Sequence, residues 1–433
     1  MDVLPSYESS QLEVELEKDA GKQLNAEQLD ILERITAGSN VGITGSAGTG
    51  KSFVIKHICS VLENNGKVYR IVAPTGVAAV NVGGQTIHRF LGIRPEVKTL
   101  PDYIKLCMKR TKVPWTTLNV ILIDEISMIH PKLFLLFDSI AKLHRKSTLP
   151  FGGIQMILIG DFYQLCPIRQ KDDVAGSADY IFETDLWKEL DLHITVLKRV
   201  MRQNEKHFIE ALNDLRHGLF SPRVIALVQQ CALNKKQPGK HYVKLHALNA
   251  QKDNANETRL MKLTTKERIY RAVDIGNEIY LKDCRAAKII TLRIGCPVML
   301  LWNMPQYDLC NGSIGILEDY DELGLPVVKF NNGQKVSIVQ QTWTIQEKNR
   351  FGIHILASRK QIPLAVAYAI SVHKSQGLTL DHSIVDCAGI FTTGQLYVAL
   401  SRAATVDGLI IKNFDPDAIM VDQKVIDFYD TLR

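Results

Sequence analysis

The stretch "GSAGTGKS", residues 45–52, decides the fold. Its spacing, G-x-x-x-x-G-K-[ST], is that of a loop whose backbone N–H groups wrap phosphate oxygens. Gly45, Gly48 and Gly50 let the backbone approach those oxygens closely, and Ser46, Ala47 and Thr49 complete the cradle. Lys51 supplies a point charge for the β- and γ-phosphates, and Ser52 a hydroxyl for Mg²⁺. The flanks agree: "VGIT" (41–44) reads as a strand and "SFVIKHICSVL" (52–62) as a helix. Strand, loop and helix in that order open a parallel α/β sheet.

Further apolar runs extend the pattern: "KVYRIVA" (67–73), "NVILIDE" (119–125), "IQMILIGD" (154–161) and "LHITVL" (192–197). Rich in Val and Ile, they suit strands buried on both faces. A second series follows at "HYVKLHAL" (241–248), "LAVAYAI" (364–370), "HSIVDC" (382–387) and "GLIIKN" (408–413). Between its halves the texture alternates, and Asn332-Gly333 is set to turn a hairpin. The expectation is an α/β protein with two parallel-sheet cores and an antiparallel insertion. The first core spans residues 23–196, and the second spans 197–261 plus 361–433. The insertion occupies 262–360, and residues 1–22 form a polar, flexible lead.

Bulk properties narrow the class. The 433 residues allow about three domains. A net charge of +6 suits a polyanionic partner without requiring one. The eight cysteines include no C-x-x-C pair, which argues against zinc and for reduced thiols. No run of 18 apolar residues exists, so no membrane span is expected. The acidic start is neither a secretory nor a transit signal, and the expected location is inside a cell.

Hydrolysis of a bound nucleotide needs a held metal and an activated water. "VILIDE" ends a strand in Asp124, placed to hold Mg²⁺, and Glu125, placed to act as base. Gln164, in "GDFYQLCPI" (160–168), lies at the next strand end. It reads equally as a γ-phosphate sensor or a surface glutamine. A lone core of this kind fits a kinase, a GTPase or a regulatory switch. The second series adds "LKRVMRQ" (197–203), "HKSQGLTLD" (373–381) and "QLYVALSRA" (395–403), with Arg202 and Arg402 as candidate fingers.

In order, "EQ", "GSAGTGKS", "APTGVAAVNVGGQTIHRFLGI", "LIDEISMI", "PFGGIQMILIGDFYQLCPI", "VMRQ", "ISVHKSQGLTLD" and "YVALSRA" resemble the motifs of superfamily-one helicases. The set is similar to the Pif-one-type DNA helicases of the RecD-like branch, and residues 136–168 resemble that family's signature segment. The resemblance covers about residues 24–414. It implies two RecA-like cores around an ATP cleft, a small Src-homology-three-like β-barrel at 262–360, and ATP and Mg²⁺ as cofactors. It also implies 5′-to-3′ translocation on single-stranded DNA and unwinding of duplex. The expected partners are single-stranded and forked duplex DNA, and the expected state is a monomer.

The resemblance gives Gln28 the reading of adenine, Lys51 and Ser52 the phosphate and metal, and Asp124 and Glu125 the metal and base. Gln164 takes the γ-phosphate, and Arg202 and Arg402 reach across from the second core. Thr86 and His88 on the first core, with His373 and Ser375 on the second, resemble DNA backbone contacts. Cys166 departs from the family, which commonly has proline there. The basic stretch 92–117 reads as a fork-splitting wedge or as a solvated face. The rival expectation is a DNA-stimulated ATPase switch that holds DNA without unwinding it.

Overall fold

The computed structural model describes residues 24–93, 113–167, 177–247, 249–281, 284–307, 309, 311–349 and 352–432. Six strands form the first sheet: β1 (Val41–Gly45), β2 (Tyr69–Ala73), β3 (Gln85–Thr86), β4 (Val120–Ile123), β5 (Gln155–Ile159) and β6 (His193–Leu197). Their order is β3-β2-β4-β5-β1-β6. All pairings are parallel, with Val41 opposite Ile157 on one side and His193 on the other. β1 and β4 are buried along their whole length, which explains runs that are continuously apolar rather than alternating.

Helices cover both faces of this sheet. On one, helices Ala26–Thr36 and Lys51–Asn64 set Ile31, Ile35, Val54 and Ile58 against Val41, Ile43, Leu122 and Ile157. Asn25 caps the first of these helices: its Oδ1 accepts the Gln28 N–H at 2.9 Å, while Gln28 Oε1 accepts the Asn25 N–H at 3.0 Å. Such reciprocal capping contributes about 1 kcal/mol. On the other face, helix Pro131–Arg145 packs Phe134, Phe137 and Ile140 on Ile121, Ile123 and Leu158. Truncating Phe137 to alanine there costs about 3–5 kcal/mol.

The second core holds a four-stranded parallel sheet in the order Ala369–Ser371, Val243–His246, Ser383–Asp386, Leu409–Lys412. Helices Lys206–Arg216, Pro222–Leu233 and Gln395–Leu400 supply Phe208, Leu212, Val224, Leu227, Leu396 and Val398 to its core. Between the strands of this sheet lies the antiparallel insertion. One of its sheets is five-stranded, with Val298, Leu300, Leu317, Val328 and Phe330 in the core it covers. A long hairpin, Gln341–Asn349 with Gly352–Gln361, pairs with Val273–Gly276. Gly333 turns the expected hairpin at φ +91°, and the Phe330 N–H closes it on Gln334 O at 2.8 Å.

The arrangement departs from the sequence reading in two places. "LAVAYAI" is two strands rather than one. Leu364–Val366 pairs antiparallel with Pro297–Leu300, in the five-stranded sheet of the insertion rather than in the parallel sheet. Helix Gln423–Asp430, expected in the second core, packs on the first. Val425 and Tyr429 join that core, Phe428 stacks on Phe182 at 4.4 Å, and Lys424 pairs with Asp179 and Glu183. The lead 1–22 and most of the basic stretch, 94–112, lie outside the described residues. Its described end puts Trp115 in the core, stacked on His144 at 5.4 Å.

Candidate active site

The phosphate loop leaves β1 at Gly45 and enters the next helix at Lys51, with Gly48 at φ +81° and Gly50 at φ +86°. Only glycine adopts these angles without strain. Space is short as well: a Cβ at Gly45 would stand 2.6 Å from Leu197 O, and one at Gly48 2.6 Å from Arg202 Cβ. The loop is thus a cradle pressed against the segment that carries Arg202. Thr49 Oγ1 donates to Ser46 O at 2.9 Å and steadies the curve. Lys51 donates to Gly45 O at 2.7 Å and Ser46 O at 3.0 Å, folded back along the loop. Burial lowers its pKa, opposed by the charges of Asp161, Glu125 and Asp124.

The carboxylates stand where β4 ends. Asp124 is buried, and its Oδ1 accepts the Glu125 N–H at 2.9 Å. Burial raises both carboxyls above the ordinary range, and the Glu125 charge adds to the shift at Asp124. Glu125 takes the left-handed conformation, φ 53°, and its Oε2 accepts Gln376 Nε2–H at 2.8 Å from the second core. Among the described residues no cluster of three His, Cys, Asp or Glu could hold a metal. The oxygen donors present, Asp124 and the exposed Ser52, suit a magnesium ion that takes its other ligands from water and phosphate.

Two guanidiniums close the site. Arg402 is 1% exposed and donates to Val398 O and Ser401 Oγ. Arg202 donates to Thr379 Oγ1 at 3.0 Å and Ser401 O at 3.2 Å. Burial disfavours both charges, the Arg402 charge adds to this at Arg202, and the Glu125 charge reaches both. Among the described residues neither makes an ion pair. Buried positive charge held without a carboxylate partner is the mark of an anion site. The Gln164 side chain lies in the same cleft, buried, donating to Asp161 Oδ2 at 3.2 Å.

Other expected residues sit apart or are engaged locally. Gln28 Oε1 is spent on the cap described above. Thr86 is buried and caps helix Ile87–Leu91, accepting the Arg89 N–H at 3.3 Å. Ser375 is fully buried and donates to Val372 O at 2.7 Å. His88 and His373 are half-buried, and burial lowers the His373 pKa. The segment carrying His373 meets the first core, since a Cβ at Gly377 would stand 2.9 Å from Asn81 Nδ2.

Sequence reasoning missed Gln376, Tyr397, Asp161, Arg216 and Tyr429. Gln376 and Tyr397 lie inside stretches already singled out, "HKSQG" and "QLYVALSRA", so position within the motif was the available signal. Arg216 and Tyr429 carry no local signal, because their roles arise from contacts distant in the chain.

A family model described as PIF1-like helicase matches residues 23–224. The ATP-dependent DNA helicase PIF1 of Danio rerio is 36% identical over 422 residues, which are 95% of this chain and 64% of that protein. The chain thus spans a little under two thirds of that longer relative. The ATP-dependent DNA helicase Pif1 of Bdellovibrio bacteriovorus is 33% identical, over 94% of this chain and 92% of its own length. Among solved structures, Bacteroides sp Pif1 in complex with ADP-AlF4 superposes with a TM-score of 0.81 at 28% identity, covering 94% of this chain and 97% of that one. The Bacteroides protein bound to ssDNA gives 0.63 at 29% identity, with the same coverage.

Proposed function

The chain belongs to the PIF1-like helicase family, and on that premise we propose that it is an ATP-driven motor that moves 5′-to-3′ on single-stranded DNA and separates duplex strands. The observation that carries this reading is the pair Arg202 and Arg402, buried cations of the second lobe, with Arg202 against Gly48 of the phosphate loop and both within reach of the Glu125 charge, yet neither in a salt bridge among the described residues. A γ-phosphate bound between them gives those cations their counter-charge. Its cleavage removes the reason for the lobes to stay together, so each turnover alters their spacing.

The placement supports the following roles. The loop 45–52 cradles the phosphates, and Lys51 swings from its own loop carbonyls onto them. Ser52 and Asp124 would hold a magnesium ion, which would supply positive charge against the phosphates. Glu125 takes the proton of the attacking water, Gln164 contacts the γ-phosphate, and Arg202 and Arg402 stabilise the transferring group. Gln28 reads adenine. Thr86 and His88 grip the strand on one lobe, and His373 and Ser375 on the other. For Ser375 this requires the hydroxyl to leave its present acceptor, Val372 O, whereas the Thr86 hydroxyl accepts the Arg89 N–H and keeps its own proton to donate. Such a motor acts on single-stranded and forked DNA wherever DNA is replicated, repaired or recombined within a cell, and as a monomer.

A forked duplex with a 5′ single-stranded tail tests the proposal. Strand separation should require ATP and Mg²⁺ and should be absent with a 3′ tail. ATP hydrolysis stimulated by DNA without strand separation would leave a DNA-bound ATPase switch instead. Lys51→Ala should abolish hydrolysis and keep most DNA affinity, and that affinity should fall as salt rises.

A further inference from the structure

Asp161 stands just past the end of β5, a central strand of the first sheet, and is wholly buried. An isolated carboxylate there would be costly, so it needs a partner. The partner comes from the other lobe. Arg216, the last residue of helix Lys206–Arg216, donates Nη2–H to Oδ1 at 2.7 Å and Nε–H to Oδ2 at 3.1 Å. Its guanidinium lies over the rings of Tyr163 at 4.3 Å and Tyr429 at 5.2 Å. Burial pushes Asp161 up, but the charge and hydrogen bonds of Arg216 more than offset it and keep the carboxylate ionised.

Two more groups converge on the pair. The Tyr429 hydroxyl donates to Asp161 Oδ1 at 3.1 Å, accepts the Phe162 N–H at 3.2 Å and meets Thr44 Oγ1 at 2.5 Å. Gln164 Nε2 donates at 3.2 Å to Oδ2, the oxygen that also accepts the Arg216 Nε–H. The amide expected at the γ-phosphate is therefore held by a carboxylate that the second lobe holds in turn. None of the roles assigned above uses Arg216 or Tyr429.

We propose that Arg216 is a positioning residue for ATP hydrolysis: through Asp161 it orients the Gln164 amide, and so makes γ-phosphate sensing depend on how the second lobe is seated. This rests on reading the chain as an ATP-driven motor. A bidentate pair in a buried interface has two states, seated or broken, with little in between. When the second lobe moves away, Asp161 loses its cation and the Gln164 amide loses its fixed acceptor. Tyr429, anchored to the first lobe, keeps the carboxylate in place while this happens.

Two substitutions in the full chain test the assignment. Arg216→Lys keeps the charge and loses the fork, while Tyr429→Phe keeps the ring and loses only the hydroxyl. The measurements are kcat and KM for ATP at saturating single-stranded DNA, strands separated per ATP consumed, and the melting temperature. Arg216→Lys should lower kcat about tenfold or more with KM within about threefold, and should lower strand separation per ATP. Tyr429→Phe should move the same quantities in the same direction by less. The proposal is overturned if both variants keep kcat and coupling within about twofold of the parent. It is also overturned if kcat and KM shift together in step with melting temperature, the pattern of lost packing. Should Arg216→Lys fail to fold, Tyr429→Phe decides alone. A parent chain that does not hydrolyse ATP with DNA would overturn the motor reading and this one together. An active parent with equally active variants would overturn only this one.

Discussion

The backbone N–H of Ala47 donates to the Tyr397 hydroxyl at 2.8 Å, so a donor of the phosphate loop is already engaged by a side chain of the opposite lobe. Burial, with the charge of Asp161 adding to it, pushes the Tyr397 hydroxyl up to about 12. It therefore stays neutral at ordinary pH. A phosphate entering the loop must displace it, and part of the nucleotide's binding energy goes into that exchange. Tyr397→Phe should remove the competitor, worth about 1 kcal/mol, and tighten ATP binding about fivefold in the absence of DNA. Titration with a fluorescent ATP analogue measures this. Unchanged or weaker binding would mean that the hydroxyl helps hold the phosphate rather than competing with it.

Gly48 is confined twice, by its φ of +81° and by Arg202 Cβ, 2.6 Å from any added methyl. Gly48→Ala should push the loop and the Arg202 segment apart. Hydrolysis should fall about a hundredfold or more, as expected when an electrostatic stabiliser leaves the transferring group. DNA affinity, measured by fluorescence anisotropy, should stay within about threefold. Retained hydrolysis would show that Arg202 does not need to approach the loop this closely.

Glu125 is hydrogen-bonded to Gln376, which neighbours the residues expected to grip DNA. A donor on a carboxylate stabilises its charged form and weakens it as a base. Gln376→Ala should therefore raise DNA-free ATP turnover about two- to fivefold and shrink the stimulation by DNA. A coupled-enzyme ATPase assay with and without DNA reads both. A variant with less DNA-free turnover than the parent would assign Gln376 a positive part in positioning the base.

In the insertion, Arg359 donates to both oxygens of Asp274 at 2.7 Å, tying strand Gly352–Gln361 to Val273–Gly276. These hydrogen bonds hold Asp274 below its ordinary value of 3.8, against the opposing effect of burial. A carboxylate lowered by folding stabilises the fold above its unfolded pKa and loses that contribution as pH falls through the folded one. Arg359→Met should thus cost about 3 kcal/mol near pH 7. The deficit should narrow below about pH 4, where Asp274 in the unfolded chain takes up a proton. Denaturant unfolding at several pH values tests it, and a pH-independent deficit would assign the loss to packing.

The sheets were legible because buried parallel strands write themselves as Val- and Ile-rich runs, as in "VILI" at 120–123. The phosphate loop was legible because glycine spacing and backbone geometry are one constraint there. The placement of Leu364–Val366 was not, since strand identity depends on which partner edge is free, and Pro297–Leu300 offered one. Nor was the Asp161–Arg216 pair, whose members are 55 positions apart. The hydroxyls of Thr86 and Ser375 looked available in the sequence, yet local backbone groups occupy them both.

Because helix Gln423–Asp430 returns to the first lobe, the polypeptide passes between the lobes twice, after Leu197 and again ahead of Gln423. A body on one tether can twist and drift, whereas on two tethers it is left mainly with a swing about the line joining them. Tension applied between Ala26 and Asp430 would load the first lobe alone, leaving the second free to swing without moving either attachment point.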